Sequence, residues 1–215
     1  MVGDNSGLSK IIAGVFEKSL KANGIEVVAS QIIPIGSRTG VPQMQKVRAA
    51  KPEAIFQAGI VGPQMAQFFQ AYHQLGMKQP VLASFNLSIP AYLKVAKDLM
   101  DGVAFIDAYD PDKERTKAFI AAYQKEYGSV PFSLPGYGYD GLYFIVDAIK
   151  RAGSADREKI RAAMASTKGW SGVMGAKGSS VNLSATDRRG FDPEGAVVRL
   201  IRDNNHGPAV HSGTK

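Results

Sequence analysis

Apolar residues in the first half of the chain alternate between helical and strand spacing, which predicts a regular series of elements. A first helix is predicted over Ser9–Leu20, ending at Asn23-Gly24, because glycine favours a helix C-terminus. The run IEVVASQIIPI that follows is rich in β-branched residues and predicts a strand. The apolar positions of the helix lie three or four residues apart: Ile11, Ile12, Val15, Phe16 and Leu20.

The alternation continues to about residue 109. Helices are predicted for PQMQKVRAAK, for residues 63–75 and for IPAYLKVAKDLM, and strands for EAIFQAG, PVLASF and GVAFIDA. Strands that alternate with helices through short connections indicate a parallel sheet covered by helices on both faces. The predicted fold class is therefore α/β, with layers like those of flavodoxin or Rossmann domains.

The pattern changes after Tyr109. Helices are predicted for KERTKAFIAAYQKEYG, YDGLYFIVDAIKRAG and REKIRAAMAST, with the first two separated by a Pro/Gly-rich loop, VPFSLPGYG. Short, turn-rich strands follow, and residues 204–215 are expected to be a flexible tail. We expect four segments: a sheet domain over 1–105, a helical section over 106–168, C-terminal strands over 169–203 and the tail.

Composition is that of an ordinary globular protein, with 45% hydrophobic and 21% charged residues. No apolar run approaches the roughly 18 residues of a transmembrane helix, so membrane insertion is not expected. The N-terminus lacks the features of a signal peptide, so the chain as written would stay where it is made, in the cytoplasm. The absence of cysteine excludes disulfides and thiolate chemistry.

The net charge of +7 raises the question of nucleic-acid binding. Lysine and arginine are spread along predicted helix faces, as in VRAAK, AIKRAG and REKIRAAM, and become denser only in DRRG and the tail. Basic residues are not clustered with interleaved aromatics, as a surface that follows a phosphate backbone requires. Nucleic acid is therefore not an expected partner.

The sequence motifs that could indicate catalysis are weak. GDNSG superficially resembles a serine nucleophile loop, but the histidines that could serve as base, His73, His206 and His211, lie in a helix and in the tail. Ser6 is better explained as a helix N-terminal hydroxyl and Asp4 as a turn residue. GYGYDG has the wrong glycine spacing and context for a dinucleotide turn, and no metal-ligand cluster is present. We expect no enzyme, no metal and no cofactor.

Binding at the carboxyl ends of the parallel strands is the remaining possibility, because an open α/β sheet forms a crevice there. Helix N-termini at the same edge would present free N–H groups to a carboxylate. The loops concerned supply our candidate ligand-binding residues: Asp4, Asn5, Ser6, Gly59, Phe85, Asn86 and Tyr109.

Four stretches, in this order, resemble the type I periplasmic solute-binding proteins of the branched-chain amino acid class. The family's helix, strand and following loop are similar to SGLSKIIAGVFEKSLKANGIEVVASQIIPIG. The family's segment that precedes and includes a buried strand is similar to MQKVRAAKPEAIFQAG. GYGYDGLYFIVDAIKRAGS resembles a family helix, and REKIRAAMASTKGWSGVMG followed by FDPEG resembles its closing segment. The resemblance covers roughly residues 3–203.

The resemblance implies two lobes with a ligand cleft between them. Residues 1–105 and the C-terminal strands would form the second lobe, and 106–168 would be helices of a first lobe whose sheet and N-terminal part are absent. Many relatives place aromatic residues where this chain has Ser6 and Ile60, and Asn86 matches a usual polar position only loosely. Family membership implies a periplasmic location, a small-molecule ligand and an ABC permease partner, with a ligand site that these differences would impair.

The two long helices of the 106–168 section carry apolar residues that, by this resemblance, would cover the absent sheet. Exposing them would forfeit on the order of 10 kcal/mol, comparable to the stability of a domain. We therefore expect a homo-oligomer whose interface contains these residues: Phe119, Tyr123, Leu142, Tyr143, Val146 and Ile149. A chain that folds poorly and aggregates is the alternative.

Three functions stay open at this point. The resemblance favours a substrate-binding component of an ABC importer for branched-chain amino acids or similar small carboxylates. The uncovered apolar residues on the two long helices of the 106–168 section favour a repurposed, homo-oligomeric structural or interaction protein without transport activity. A small-molecule sensor module is a more distant possibility, because the same fold serves in receptors and repressors.

Overall fold

The computed structural model describes residues 1–191 and 195–213, which divide into two compact units. Unit 1 comprises Met1–Ile106 and Leu200–Gly207. Unit 2 comprises Asp107–Arg199 and the segment from Pro208 onward. The chain therefore passes between the units after residues 106, 199 and 207.

Strands and helices alternate along unit 1. The strands are β1 (Val2–Gly3), β2 (Gln31–Ile32), β3 (Ile55–Ala58), β4 (Val81–Ala83) and β5 (Ala104–Asp107). The helices are α1 (Gly7–Ala22), α2 (Val41–Ala49), α3 (Gln64–Gln74) and α4 (Pro90–Ala96), with short 3-10 helices at Phe85–Ser88 and Lys97–Met100. Three helices follow in unit 2: α5 (Glu114–Tyr127), α6 (Ser133–Ala152) and α7 (Arg157–Ala165).

The strands form one sheet with the order β2-β1-β3-β4-β5-β6-β7, where β6 is Val197–Arg202 and β7 is Asn205–Ser212. Strands β1 to β5 pair in parallel, with Val2 opposite both Gln31 and Gln57. A two-residue turn joins β6 to β7, and both of its residues, Asp203 and Asn204, have positive φ, as a tight hairpin requires. The predicted α/β class with a mostly parallel sheet is confirmed.

The main core of unit 1 lies between the sheet and helices α2, α3 and α4. Phe68, Phe69 and Met65 of α3 are fully buried there against strand residues such as Ile55 and Phe105. Helix α1 contributes none of this cluster among the described residues, and its most buried residue is Ser9. Phe16 of α1 contacts the sheet by stacking on Phe56 of β3, with the two ring centroids 3.7 Å apart.

A smaller core forms in unit 2, where Tyr109 and Phe119 are buried against Val173 and Met174. The loop that carries the last two residues is held by a buried carboxylate, since Asp140 accepts from the N–H groups of both at 2.8 and 2.9 Å. Helices α6 and α7 pack against each other beside this core.

Three local predictions are wrong. The strand predicted for IEVVASQIIPI is shortened to β2, Gln31–Ile32. Its neighbour β1 is two residues long and offers hydrogen-bond partners to these two residues. Helix α6 begins at Ser133, inside the predicted loop, since Pro135 falls in the first turn, where its missing N–H costs nothing. Residues 205–212, predicted as flexible tail, form β7 because the Asp203–Asn204 turn folds them back. Residues 192–194, within the quoted FDPEG, and 214–215 lie outside the described residues.

Candidate functional site

The loop after β1 is organised by the carboxylate of Asp4, which is almost completely buried. One oxygen accepts from the N–H of Ser6 at 2.8 Å, and the other accepts from the N–H of Val61 at 2.8 Å. Asp4 is thus the turn residue that the sequence predicts, and it also joins the loop after β1 to the loop after β3.

Two small residues allow helix α1 to approach the sheet closely at this edge. The hydroxyl of Ser9 accepts from the N–H of Asp4 and donates to the carbonyl of Ala58. Gly59 adopts φ +66°, and a Cβ there would lie 2.7 Å from Cδ1 of Ile12. A side chain at position 59 would therefore be strained by its backbone conformation and would collide with α1.

Buried polar side chains connect the ends of β3 and β4. The N–H of Gly59 donates to the hydroxyl of Ser84 at 2.9 Å. That hydroxyl bonds the side-chain oxygen of Asn86, and the Asn86 amide donates to the carbonyl of Ile60. Asn86 is 2% exposed, so its hydrogen-bonding capacity serves the protein's own loops.

The accessible members of the candidate set are Asn5, Ser6 and Phe85. Asn5 is exposed, and its side-chain oxygen accepts from the N–H of Ile35 at 2.8 Å. The Ser6 hydroxyl accepts from the N–H of Ser9 at 3.1 Å, which confirms Ser6 as the residue that caps α1. Phe85 is 41% exposed, so an aromatic surface accompanies these polar groups.

Phe85 lines an apolar cleft of about 180 Å³. The cleft lies between α1 and the strand ends, and its other walls are Ile11, Ile12, Val15, Phe16, Ser84 and Ile106. The cleft therefore presents an apolar surface beside the candidate residues of unit 1, whose neighbouring polar groups are bonded to backbone atoms. Ligand selection here would depend on shape more than on hydrogen bonding.

The remaining candidate, Tyr109, belongs to unit 2 and is 1% exposed. Its hydroxyl has no hydrogen-bond partner among the described residues. Burial raises the pKa of this phenol far above its usual value, although the nearby Arg199 guanidinium opposes the shift. Tyr109 is thus a core residue of unit 2 and carries one unsatisfied polar atom.

A buried ion pair lies next to Tyr109 and was not predicted. Asp107 Oδ2 and Arg199 Nη1 are 3.3 Å apart, and their side chains are 1% and 7% exposed. The Arg199 guanidinium carbon also lies 5.5 Å from the centroid of the Tyr109 ring. The sequence separation of 92 residues explains why local patterns could not identify the pair.

The residues of the predicted oligomer face fall into two groups in the structure, one packed in or against the core of unit 2 and one exposed on α6. Phe119 is buried in the small core of unit 2, and Tyr123, which is half-buried, packs against that core. The α6 residues of the set are exposed, with Leu142 at 62% and Tyr143 at 52%. The same stretch of α6 also exposes Tyr139 and Ile145.

Residues 1–191 and 195–213 contain neither a candidate metal site nor a candidate membrane-spanning helix. That part of the chain has no cluster of three or more histidine, aspartate or glutamate side chains suited to a metal ion. Its helices include none with the length and apolarity needed to span a bilayer.

The structure has the open, mostly parallel sheet of an α/β domain, and α/β domains of this class commonly bind small molecules beside their strand-end loops. The chain belongs to the periplasmic binding protein family, whose model matches residues 1–201. Members of this family are periplasmic solute-binding proteins. The match confirms the resemblance found in the sequence.

Individual relatives are longer than this chain. It is 24% identical over 169 residues to the Leu/Ile/Val-binding protein BraC3 of Rhizobium johnstonii, covering 76% of this chain and 45% of that protein. The leucine-binding protein LivK of Thermotoga maritima superposes with a TM-score of 0.75 at 22% identity, covering 98% of this chain and 59% of that one. LivJ of Streptococcus pneumoniae, crystallised with isoleucine, superposes with a TM-score of 0.74 at 21% identity, covering 100% of this chain and 59% of that one. The chain thus spans about half to three-fifths of these relatives.

Proposed function

We propose that this chain acts in the substrate-binding component of an ABC importer, and that its ligand is a branched-chain amino acid or a similar small carboxylate. The support is the family match over residues 1–201 together with the relative named as a Leu/Ile/Val-binding protein. A periplasmic location and an ABC permease as partner belong to the same proposal.

The observation that carries this proposal is the apolar cleft beside Phe85. Its volume of about 180 Å³ suits one aliphatic side chain, and its walls are almost wholly hydrocarbon or aromatic. The first turn of α1 begins at the neighbouring loop, where helix N–H groups favour a carboxylate. Asp4, Gly59 and Asn86 would then shape the site, while Ser6, Asn5 and Phe85 would border the ligand.

Isothermal titration calorimetry with a series of amino acids tests the proposal. Each methylene buried in the cleft is worth about 0.8 kcal/mol, so isoleucine should bind about fourfold more tightly than valine. Asparagine and serine should bind more weakly than both. Affinities that do not rise with aliphatic size, or no binding across the series, would contradict the assignment.

Variants localise the binding. Phe85→Ala should weaken isoleucine binding about tenfold, because it removes one wall of the cleft. Val95→Ala is the matched control, since Val95 is 51% exposed on α4 and does not line the cleft. Equal affinities in the two variants would place the ligand elsewhere.

A second candidate function, a homo-oligomeric interaction protein, is favoured by the exposed face of α6. Burying a large apolar side chain completely is worth about 1.5–3 kcal/mol, so this face, being about half exposed, retains roughly 5 kcal/mol. We propose that a second copy of the chain covers this face. Its residues lie three or four positions apart along one side of the helix: Leu142, Tyr143, Ile145, Val146 and Ile149.

Light scattering during size-exclusion chromatography tests the oligomer. The chain should elute as a dimer or larger species at micromolar concentration, and Leu142→Glu should shift it to monomer. Val95→Glu adds the same charge at another exposed apolar position and should leave the mass unchanged. A compact monomer of the unmodified chain would refute this candidate.

A further inference from the structure

Unit 2 contains a cleft of its own, between α5, α6 and the loop that follows α7. Its volume of about 460 Å³ is within the range of small-molecule sites. Three of its lining residues, Ala118, Ala122 and Gly172, are small, and it shares no residue with the cleft beside Phe85. Its other walls include four aromatic side chains: Phe119, Tyr139, Tyr143 and Trp170.

The aromatic side chains of this cleft already lie against one another. The ring centroid of Tyr139 is 5.0 Å from that of Phe119 and 4.6 Å from that of Tyr143. Trp170 is half-buried and makes an edge-to-face contact with Phe144, with centroids 5.2 Å apart. Rings that are partly ordered before a ligand arrives lose little freedom when it binds, and they favour another aromatic ring over an aliphatic group of the same size.

The charges that line the cleft favour an anion. Asp140 is buried and accepts from two backbone N–H groups, and Asp147 pairs with Arg151 at 2.8 Å. Both carboxylates are therefore bound within the protein. Arg115 and Lys150 also line the cleft, and neither forms an ion pair within residues 1–191 and 195–213.

Arg115 is held in a position from which it can bind a carboxylate. It lies in the first turn of α5, and its Nη1 donates to the carbonyl of Ser171 at 2.7 Å. This bond uses one of the five N–H groups of the guanidinium fork, whose geometry matches a carboxylate. A second, polar cleft of about 650 Å³ shares Arg115 and Trp170 with the first and adds Lys168, so positive charge is concentrated where the two meet.

We propose that unit 2 has a second ligand site, which binds a small aromatic carboxylate with its ring among the aromatic walls and its charge on Arg115. The walls select the ring, and the unpaired cations select the anion. Tyr143 and Val146 belong both to this cleft and to the exposed face of α6. A bound aromatic acid and a second copy of the chain would therefore compete for the same surface.

The fluorescence of Trp170, the single tryptophan of the chain, tests the proposal because this residue lines both clefts. The unmodified chain is titrated at submicromolar concentration, below the range in which we expect self-association. Phenylacetate is compared with phenylethanol, which lacks the charge, and with cyclohexylacetate, which lacks the aromatic ring. Phenylacetate should give a saturable change with a half-saturation concentration about tenfold below that of either matched probe. No saturable change, or equal values for the three probes, would overturn the proposal.

Removal of the Arg115 charge tests its role. Arg115→Gln should raise the half-saturation concentration of phenylacetate about tenfold and leave that of phenylethanol unchanged, because only the acid uses the guanidinium. Arg157→Gln is the matched control, since Arg157 is exposed at the start of α7 and lines neither cleft. Equal weakening by the two variants would show that net charge alone attracts the acid, and the site would be refuted.

Removal of one aromatic wall tests the position of the ring. Tyr143→Leu should reduce the preference for phenylacetate over cyclohexylacetate about fivefold. Tyr127→Leu is the control, because Tyr127 is 66% exposed on α5 and lies outside the cleft. Phe85→Ala should leave phenylacetate binding unchanged, so this result does not depend on whether isoleucine binds in unit 1. If Phe85→Ala weakened phenylacetate binding as much as Tyr143→Leu does, the proposed site would be wrong.

Discussion

Replacing Asp4 by alanine should destabilise unit 1 more than any other single change in the candidate loops. The buried carboxylate accepts from the N–H groups of Ser6 and Val61, each at 2.8 Å. Hydrogen bonds to charged groups contribute about 1.5–3 kcal/mol each, and removing the acceptor leaves both donors without a partner. Both donor residues are half-buried, so water can compensate in part. The expected loss is about 2–4 kcal/mol.

Urea denaturation followed by far-ultraviolet circular dichroism measures this loss. With a slope of about 2 kcal/mol per molar urea, the midpoint should fall by roughly 1–2 M. The chain has a single tryptophan, Trp170, and it lies in unit 2. Its fluorescence therefore reports on unit 2, and comparing the two signals shows whether the units unfold together.

Two further variants test whether the lost hydrogen bonds of the Asp4 carboxylate cause the loss of stability. Asp4→Asn keeps the shape and one acceptor oxygen, so it should lose about half as much stability. Asn5→Ala removes one exposed hydrogen bond to the N–H of Ile35 and should cost at most about 0.5 kcal/mol. If Asp4→Ala stayed within about 0.5 kcal/mol of the unmodified chain, the idea that this carboxylate organises the loops would be wrong.

Three other changes have expected outcomes of their own. Gly59→Ala should cost about 2–3 kcal/mol in the same denaturation assay, and Gly76→Ala only about 1 kcal/mol, because both have positive φ but only Gly59 has α1 beside it; equal losses would contradict the packing argument. Asn86→Ala should cost about 2 kcal/mol and also weaken isoleucine binding, because the buried carbonyl of Ile60 loses its shorter hydrogen bond and keeps the one from the Gln57 amide at 3.4 Å; a loss of binding without a loss of stability would instead indicate direct contact with the ligand. The raised pKa of Asp107 contributes stability that is present in acid and is lost as pH rises through about 6; this contribution, up to about 3 kcal/mol, should disappear from the pH dependence in Asp107→Asn.

The sequence was sufficient for the parallel sheet of unit 1, because helical and strand periods are clearly separated there. The boundaries that were missed depend on contacts distant in sequence. Gly136 lies within α6 although its stretch is rich in proline and glycine, and it is a glycine because Met174 packs where a Cβ would stand. A rule based on local composition treats such a glycine as a loop residue.

The candidate residues were predicted from their position at strand ends, and position does not show which groups a side chain bonds. Asp4 and Asn86 lie in the expected loops, but both bond backbone atoms of the loop after β3. Phe119 and Tyr123 follow the same helical spacing as the exposed α6 residues, yet they face the small core of unit 2. Periodicity identifies an apolar face, but the tertiary structure decides what covers it.

The arrangement of unit 1 separates the groups that build the strand-end loops from the surface that a ligand could contact. The buried polar side chains there, Asp4, Ser84 and Asn86, fix three loops to one another. Buried polar networks of this kind specify one conformation, because each lost partner leaves a costly unsatisfied group. The cleft beside Phe85 is therefore preorganised by polar contacts while presenting an apolar surface. A ligand in this cleft would need little ordering of the protein, so we expect discrimination among ligands to depend on how well an aliphatic group fills the cleft.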